Sequence, residues 1–228
     1  MKNLTVLWIA CRYDRDPADV VHYITRRALD LRPTVLLVDE AAHFQPHLHT
    51  VPGYHVRPSP SREVAVLVRD GVEAGSAERV VLSRLGIPRR GGRQPDALRL
   101  PVAGSVLYAT HLPSGVAGAG RLRWTKQGRV WRDAACQLAR QSGRHGQTPV
   151  VVVADWNVNA RRRWTRRLLR RLFPGARLVA PKGWTHRGHG PGRVIDFAMV
   201  RHGQGHAQVF RNPTSDHRAV LLTLKVDA

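Results

Sequence analysis

The chain has 228 residues, with 37 Lys and Arg against 16 Asp and Glu, for a formal charge of +21. That length suits one layered domain spanning 1–228, and 43% hydrophobic residues exclude an intrinsically disordered chain. Two cysteines, Cys11 and Cys136, exclude a disulfide framework, and the apolar run from Leu4 to Cys11 is too short for a membrane span and lacks a cleavage pattern.

These properties predict a cytoplasmic protein with two buried free thiols, no membrane contact and no obligate protein partner. Its net charge calls for a polyanion, because neutralising phosphates releases counterions. Lys occurs only at positions 2, 126, 182 and 225, so the charge is almost all Arg. The planar guanidinium fork suits phosphate oxygens.

In chain order, Leu4–Ala10 reads as a buried strand, and Asp16-Pro17 as the start of a helix that Pro33 ends. Thr34–Val38 is a second buried strand, delivering Asp39 and Glu40 at its end. Val64–Val68 and Val80–Leu85 read as further strands, and a loop at 86–94 carries Arg89, Arg90 and Arg93 among glycines. Ser105–Ala109 is a strand that runs into Thr110-His111-Leu112, followed by a glycine-rich loop to Gly120 and a helix over Val130–Arg140. Pro149–Ala154 is the plainest buried strand and ends in Asp155-Trp156-Asn157. A basic helix over about 160–173 is stopped by Pro174-Gly175. Val194–Val200 is read as a strand with Asp196 inside it, and Ala219–Val226 as a last strand after Ser215-Asp216-His217. Alternating strands and helices, without repeats or linkers, argue an α/β layered domain.

One pattern recurs: apolar strands end in polar clusters, at Asp39-Glu40, His111, Asp155 with Asn157, and Asp216-His217. A core needs no carboxylates there, and gathered carboxylates repel one another unless a cation or proton compensates. Several carboxylates and few cysteines point to Mg2+ or Mn2+ rather than zinc. Asp196, unpaired within an apolar strand, would be costly, so it calls for a partner, and His217 is the best candidate.

The ordered set of a strand ending in Glu40, Thr110-His111-Leu112, Asp155-Trp156-Asn157, Ile195-Asp196-Phe197 and Ser215-Asp216-His217 resembles the endonuclease/exonuclease/phosphatase superfamily, with its DNase I-like fold. The resemblance covers almost the whole chain. It implies a four-layer α/β/β/α sandwich with two facing mixed β-sheets. It also implies a metal-dependent phosphoester hydrolase in which Glu40 and Asp216 serve the metal. Asp155 and Asn157 would position the attacking water and hold the phosphate, His111 and His217 would contact that phosphate, and Asp196 would orient His217. Two positions depart from the family pattern. The amide usual at the end of the first strand is replaced by Ala10 or Cys11, with no amide nearby, and the Gln usual before the metal-binding Glu is Asp39. Either Asp39 supplies a replacement ligand oxygen, or the site is partly degraded.

Charge and chemistry together favour a nuclease acting on DNA or RNA. Arg162, Arg163, Arg166 and Arg170 on the basic helix are candidate backbone contacts, as are Arg89, Arg90 and Arg93. Leu168, Leu169, Leu172 and Phe173 would dock that helix. The alternatives are a phosphatase or phosphodiesterase acting on a phospholipid or other small phosphoester, and a nucleic-acid-binding protein that has lost turnover. His43, His47 and His49 read as loop histidines, and Thr185, His186 and His189 as residues facing the cleft.

Overall fold

A computed structural model describes residues 2–58, 61, 63–85, 94–114, 125–187 and 192–227. Among these described residues, twelve strands and three α-helices follow in the order β1 (Lys2–Ala10), α1 (Pro17–Leu31), β2 (Val35–Asp39), β3 (Tyr54–Arg57), β4 (Val64–Arg69), β5 (Glu78–Val81), β6 (Asp96–Val102), β7 (Ser105–His111), α2 (Lys126–Ser142), β8 (Val150–Asp155), α3 (Arg163–Leu172), β9 (Arg177–Val179), β10 (Asp196–Arg201), β11 (Gly203–Phe210) and β12 (Ala219–Val226). Two short 3-10 turns, Ala41–His43 and Gln45–Thr50, follow β2.

The strands form two six-stranded sheets, ordered β11-β12-β1-β2-β4-β3 and β5-β6-β7-β8-β10-β9. Each has one parallel pair at its centre, β1 with β2 and β7 with β8, and these pairs are flanked by antiparallel neighbours. Helices α1 and α2 lie between the paired strands in sequence, as a parallel connection requires. The sequence supplies the helix signals: Asp16 accepts from the Ala18 N–H ahead of Pro17, and Thr125 accepts from Gly128.

Side chains alternate across each strand, and this alternation builds four layers. Leu4, Val6 and Trp8 of β1, Val35 and Leu37 of β2, Leu107 and Ala109 of β7, and Val151 and Val153 of β8 fill the space between the sheets. Leu7 and Ile9 turn outward onto α1 and the 3-10 turns, while Val150, Val152 and Ala154 turn outward onto α2 and α3. The expected α/β/β/α sandwich is therefore present.

Several expected elements need correction. Asp196 is the first residue of β10 rather than an interior one. The strand expected at Val80–Leu85 runs over Glu78–Val81; Leu82 bonds to the Pro95 carbonyl, and the Ser83 hydroxyl turns to Asp133. The basic helix starts at Arg163, because 159–162 is a turn in which Asn159 Oδ1 accepts from the Arg161 N–H. Cys136 is half-buried, whereas Cys11 is buried as expected. Strand β11, unforeseen, is polar because it is a sheet edge paired on one side only. Its Gly203 is required by close approach, since a Cβ there would lie 2.8 Å from the Lys225 carbonyl oxygen. Arg89, Arg90, Arg93 and His189 lie outside the described residues.

Candidate active site

The same alternation that fills the core delivers the site. Continuing the inward-facing positions to one end of the sandwich gives Asp39 after Leu37, His111 after Ala109, Asp155 after Val153, and Asp196 before Ala198. Register sets them side by side: Ala10 opposite Asp39 in one sheet, and His111 and Asp196 on either side of Asp155 in the other. His217, just before β12, completes the group from the first sheet.

Two aspartate–histidine pairs cross between the sheets. His111 Nδ1 donates to Asp39 Oδ2 at 2.9 Å, and His217 Nδ1 donates to Asp196 Oδ2 at 3.0 Å. A carboxylate only accepts, so both rings carry their proton on Nδ1 and turn Nε2 inward. Both Nε2 atoms lie 3.9 Å from the same atom, Asp155 Oδ2. The expected pairing of Asp196 with His217 is thus found. Asp39 proves to be engaged at both oxygens: Oδ2 with His111, and Oδ1 with the backbone N–H of Glu40 at 2.9 Å.

Burial decides the electrostatics. Asp155 is 1% exposed; desolvation, then the charge of Asp196 and that of Asp39, push it up to about 7 against the opposing pull of the two histidines. For His217, burial opposes the charged form, but Asp196, Asp155 and Asp216 outweigh it and raise the imidazole to about 10. Asp196 is also desolvated, yet His217 and hydrogen bonds from His217, Thr185 and Trp8 hold it below the usual carboxylate range. The Trp8 indole reaches across from β1 to donate to Asp196 Oδ1 at 3.0 Å.

The loop after β8 is fixed on all sides. Trp156 donates its backbone N–H to Ile195 O and its indole N–H to Phe197 O, while Trp131 donates to Trp156 O. Asn157 takes a left-handed conformation, φ 53°, its N–H bonded to Asp155 Oδ1 and its Nδ2 to Leu112 O. Glu40 is also left-handed, φ 56°, a conformation that a Glu adopts at a cost and that is found where surrounding structure enforces it. It is half-buried at the rim, next to Asp39. Asp216 is half-exposed and accepts from His186 Nε2 at 3.0 Å; the His186 ring packs edge-on against His217 at 4.6 Å between centroids. Burial and the His217 charge hold His186 below the usual imidazole range.

Trp8 and Asn212 were missed in the sequence; His186, expected to face the cleft, lies against His217 and Asp216, whereas Thr185 is buried behind Asp196. By strand parity Ala10, not Cys11, holds the inward place at the end of β1. An amide does come to it: Asn212 Nδ2 donates to the Ala10 carbonyl at 2.8 Å. Its Oδ1 is occupied by Thr214, which bonds it through both N–H and hydroxyl, so this amide braces the strand end.

The donor set fits a hard cation. Ligand atoms converge within 4.8 Å in three groups among the described residues: Asp39, His111 and Asp155; Asp155, Asp196 and His217; and His186, Asp216 and His217. Three buried carboxylates face two histidines, and burial first, then Asp196 and Asp39, disfavour the charged form of Asp155. A divalent ion bound through oxygen ligands would offset that charge. Glu40 belongs to none of the three groups.

On α3 and its two cap residues, Thr165, Leu169 and Phe173 are buried, and Arg162, Arg163, Arg167, Arg170 and Arg171 are exposed. None of these five has a carboxylate partner among the described residues. Arg166 Nε donates to the Ala160 carbonyl, and Arg161 donates to that of Lys182. No described helix is long and apolar enough to cross a membrane.

Known proteins of this shape are plentiful among solved structures. An endonuclease/exonuclease/phosphatase family protein from Bacteroides thetaiotaomicron superposes with a TM-score of 0.74 at 13% identity, covering 100% of this chain and 99% of the other. TDP2 of D. rerio, complexed with single-strand DNA product, gives 0.70 at 15% identity over 99% and 100%. The mannosyl-6-phosphatase Bt3783 of Bacteroides thetaiotaomicron gives 0.69 at 12% over 97% and 99%. A search among curated proteins finds no match. The profile of the Endonuclease/Exonuclease/phosphatase family matches residues 9–217, a span that contains every residue of the paired histidine–carboxylate centre but Trp8. The chain belongs to that family, whose members hydrolyse phosphoesters.

Proposed function

We propose that the chain is a divalent-metal-dependent phosphodiesterase that hydrolyses the backbone of DNA or RNA. The observation that carries this reading is the convergence of two aspartate-backed imidazoles on Asp155 Oδ2, each at 3.9 Å. Asp155, raised to about 7, takes a proton from the attacking water near neutrality. His217, raised to about 10, stays an imidazolium; it stabilises the charge on the phosphate and can return a proton to the leaving oxygen. Asp196 holds that ring in place, and Asp39 does the same for His111, which contacts the phosphate from the other side. Asn157 helps to position the water. The bond formed is from phosphorus to the water oxygen, and the bond broken is from phosphorus to the ester oxygen. Mg2+ or Mn2+, held by Glu40 and Asp216 at the rim and by the buried Asp39 beside Glu40, would supply Lewis-acid stabilisation of the phosphate oxygens.

The formal charge of +21 favours a polymer substrate. Arg162, Arg163, Arg166 and Arg170 on α3 would follow its backbone. The fold neighbours include both a TDP2 structure with a DNA product and a mannosyl-6-phosphatase, so a small phosphoester is the second reading. Plasmid nicking with Mg2+ or Mn2+, with EDTA and Asp155→Ala as controls, tests the first. Cleavage by wild type alone, dependent on the metal, is expected. Binding without cleavage by either protein sinks the enzymatic reading, and turnover confined to sugar phosphates favours the second.

A further inference from the structure

Beside His217 lies a cleft of about 690 Å³ whose lining includes Trp184, Arg187, Arg211, Asp216 and Arg218. Arg12 also lines it, but its guanidinium is paired with Asp14. Asp216 is paired with His186. Arg187, Arg211 and Arg218 have no carboxylate partner among the described residues. Three like charges gathered in one concavity repel one another unless an anion is present to meet them.

Arg218 is also pre-set. Its guanidinium lies 3.6 Å above the Trp184 ring. Gly192 packs tightly against Trp184, where a Cβ would come within 2.6 Å of the indole. The backbone fixes Arg218 and Arg187 beside His217: Arg218 N–H bonds to Thr185 O, Arg187 N–H to Asp216 O, and His186 pairs with His217. A free surface arginine samples many rotamers; a stacked one presents one face of its fork at small entropic cost.

We propose that this cleft is a second anion subsite, in which Arg187, Arg211 and the Trp184-stacked Arg218 bind the phosphate adjacent to the scissile one. The proposal rests on the phosphodiesterase reading and narrows it to substrates with at least two phosphates, such as an oligonucleotide or a nucleotide with a further terminal phosphate. The cleft, rather than α3, then sets discrimination against single-phosphate esters.

The test is calorimetric binding in EDTA, where turnover plays no part, of thymidine 3′,5′-bisphosphate and thymidine 5′-monophosphate to the whole chain. Wild type should prefer the bisphosphate by ~10-fold or more, the scale of one charge-assisted bidentate contact. In Arg187→Ala/Arg211→Ala that preference should collapse to about 2-fold or less. Trp184→Leu, which keeps every charge but frees Arg218, should lower it part of the way. The charge-matched variant Arg132→Ala/Arg140→Ala on α2 should retain it. Equal affinities in wild type, no measurable binding of either ligand, or an equal loss in the α2 variant each overturn the subsite. A chain that shows the preference yet cleaves nothing with Mg2+ or Mn2+ keeps the subsite and loses the hydrolase reading. One that cleaves without the preference does the reverse.

Discussion

The pairs Asp39–His111 and Asp196–His217 cross the sandwich in opposite directions. In the first, the acid comes from the β1–β2 sheet and the imidazole from the other; in the second, the roles are exchanged. Their support differs. Asp196 collects Trp8, Thr185 and His217, and stays ionised despite complete burial. Asp39 holds His111 and a neighbouring backbone N–H. The better-supported acid has the histidine whose imidazolium persists to high pH. Equal geometry does not mean equal surroundings: His217 feels Asp155 and Asp216 as well as Asp196, and together they hold its proton against burial.

The comparison can be broken at its shared point first. Asp155→Asn should cut phosphodiester hydrolysis by roughly 10³–10⁴-fold, the scale of losing a group that acts in proton transfer. In EDTA at pH 8 the same variant should melt several degrees above wild type, because it removes a carboxylate whose ionisation the fold opposes. A lower melting point would mean that Asp155 is compensated without a metal.

Next come the two acids. Asp196→Asn should lower kcat by about 10³-fold or more through loss of the imidazolium and its orientation, and Asp39→Asn by about 10–100-fold. Equal losses, measured with any substrate the protein turns over, would erase the distinction between the pairs.

The pH dependence comes third. His217 is raised from 6.5 to about 10, so its contribution to stability is complete below about pH 6.5 and is lost as pH climbs through 10. Chemical denaturation of the metal-free protein should show that decline. His217→Gln should flatten it between pH 7 and 10, and an unchanged slope would assign the decline to other groups.

The smallest effect expected is that of Trp8→Phe. It keeps most of the apolar volume and removes one hydrogen bond to a charged acceptor, worth about 1.5–3 kcal/mol. Activity should fall by less than in Asp196→Asn, measured with the same substrate, because His217 keeps its carboxylate partner.

Much of the site was legible because short, branched, buried strands announce where they stop. Asp39, His111 and Asp155 sit at such stops. What sequence reasoning did not use was parity. Counting in twos along β1, β2, β7, β8 and β10 puts Trp8, Asp39, His111, Asp155 and Asp196 on facing surfaces. Trp8 reads as an ordinary core aromatic; its indole N–H, which needs a partner when buried, was the available signal. Asn212 carries no such mark, and His186 only its place just before the Asp196 strand, since both reach the site from irregular segments through long-range pairing. Strand β11 escaped for a different reason: an edge strand need not alternate, and its pattern of glycine and polar residues resembles a loop.

The paired acids and histidines also have a mechanical meaning. Each spans the seam between the two sheets, so together they act as clasps at one mouth of the sandwich. If the sheets slide or splay there, His217 leaves Asp155 and His111 loses Asp39 at once. Turnover thus doubles as a gauge of seam closure: amide exchange at the strand ends carrying Asp39 and Asp155 and loss of activity should rise together along a denaturant series, before the helices on the outer faces let go.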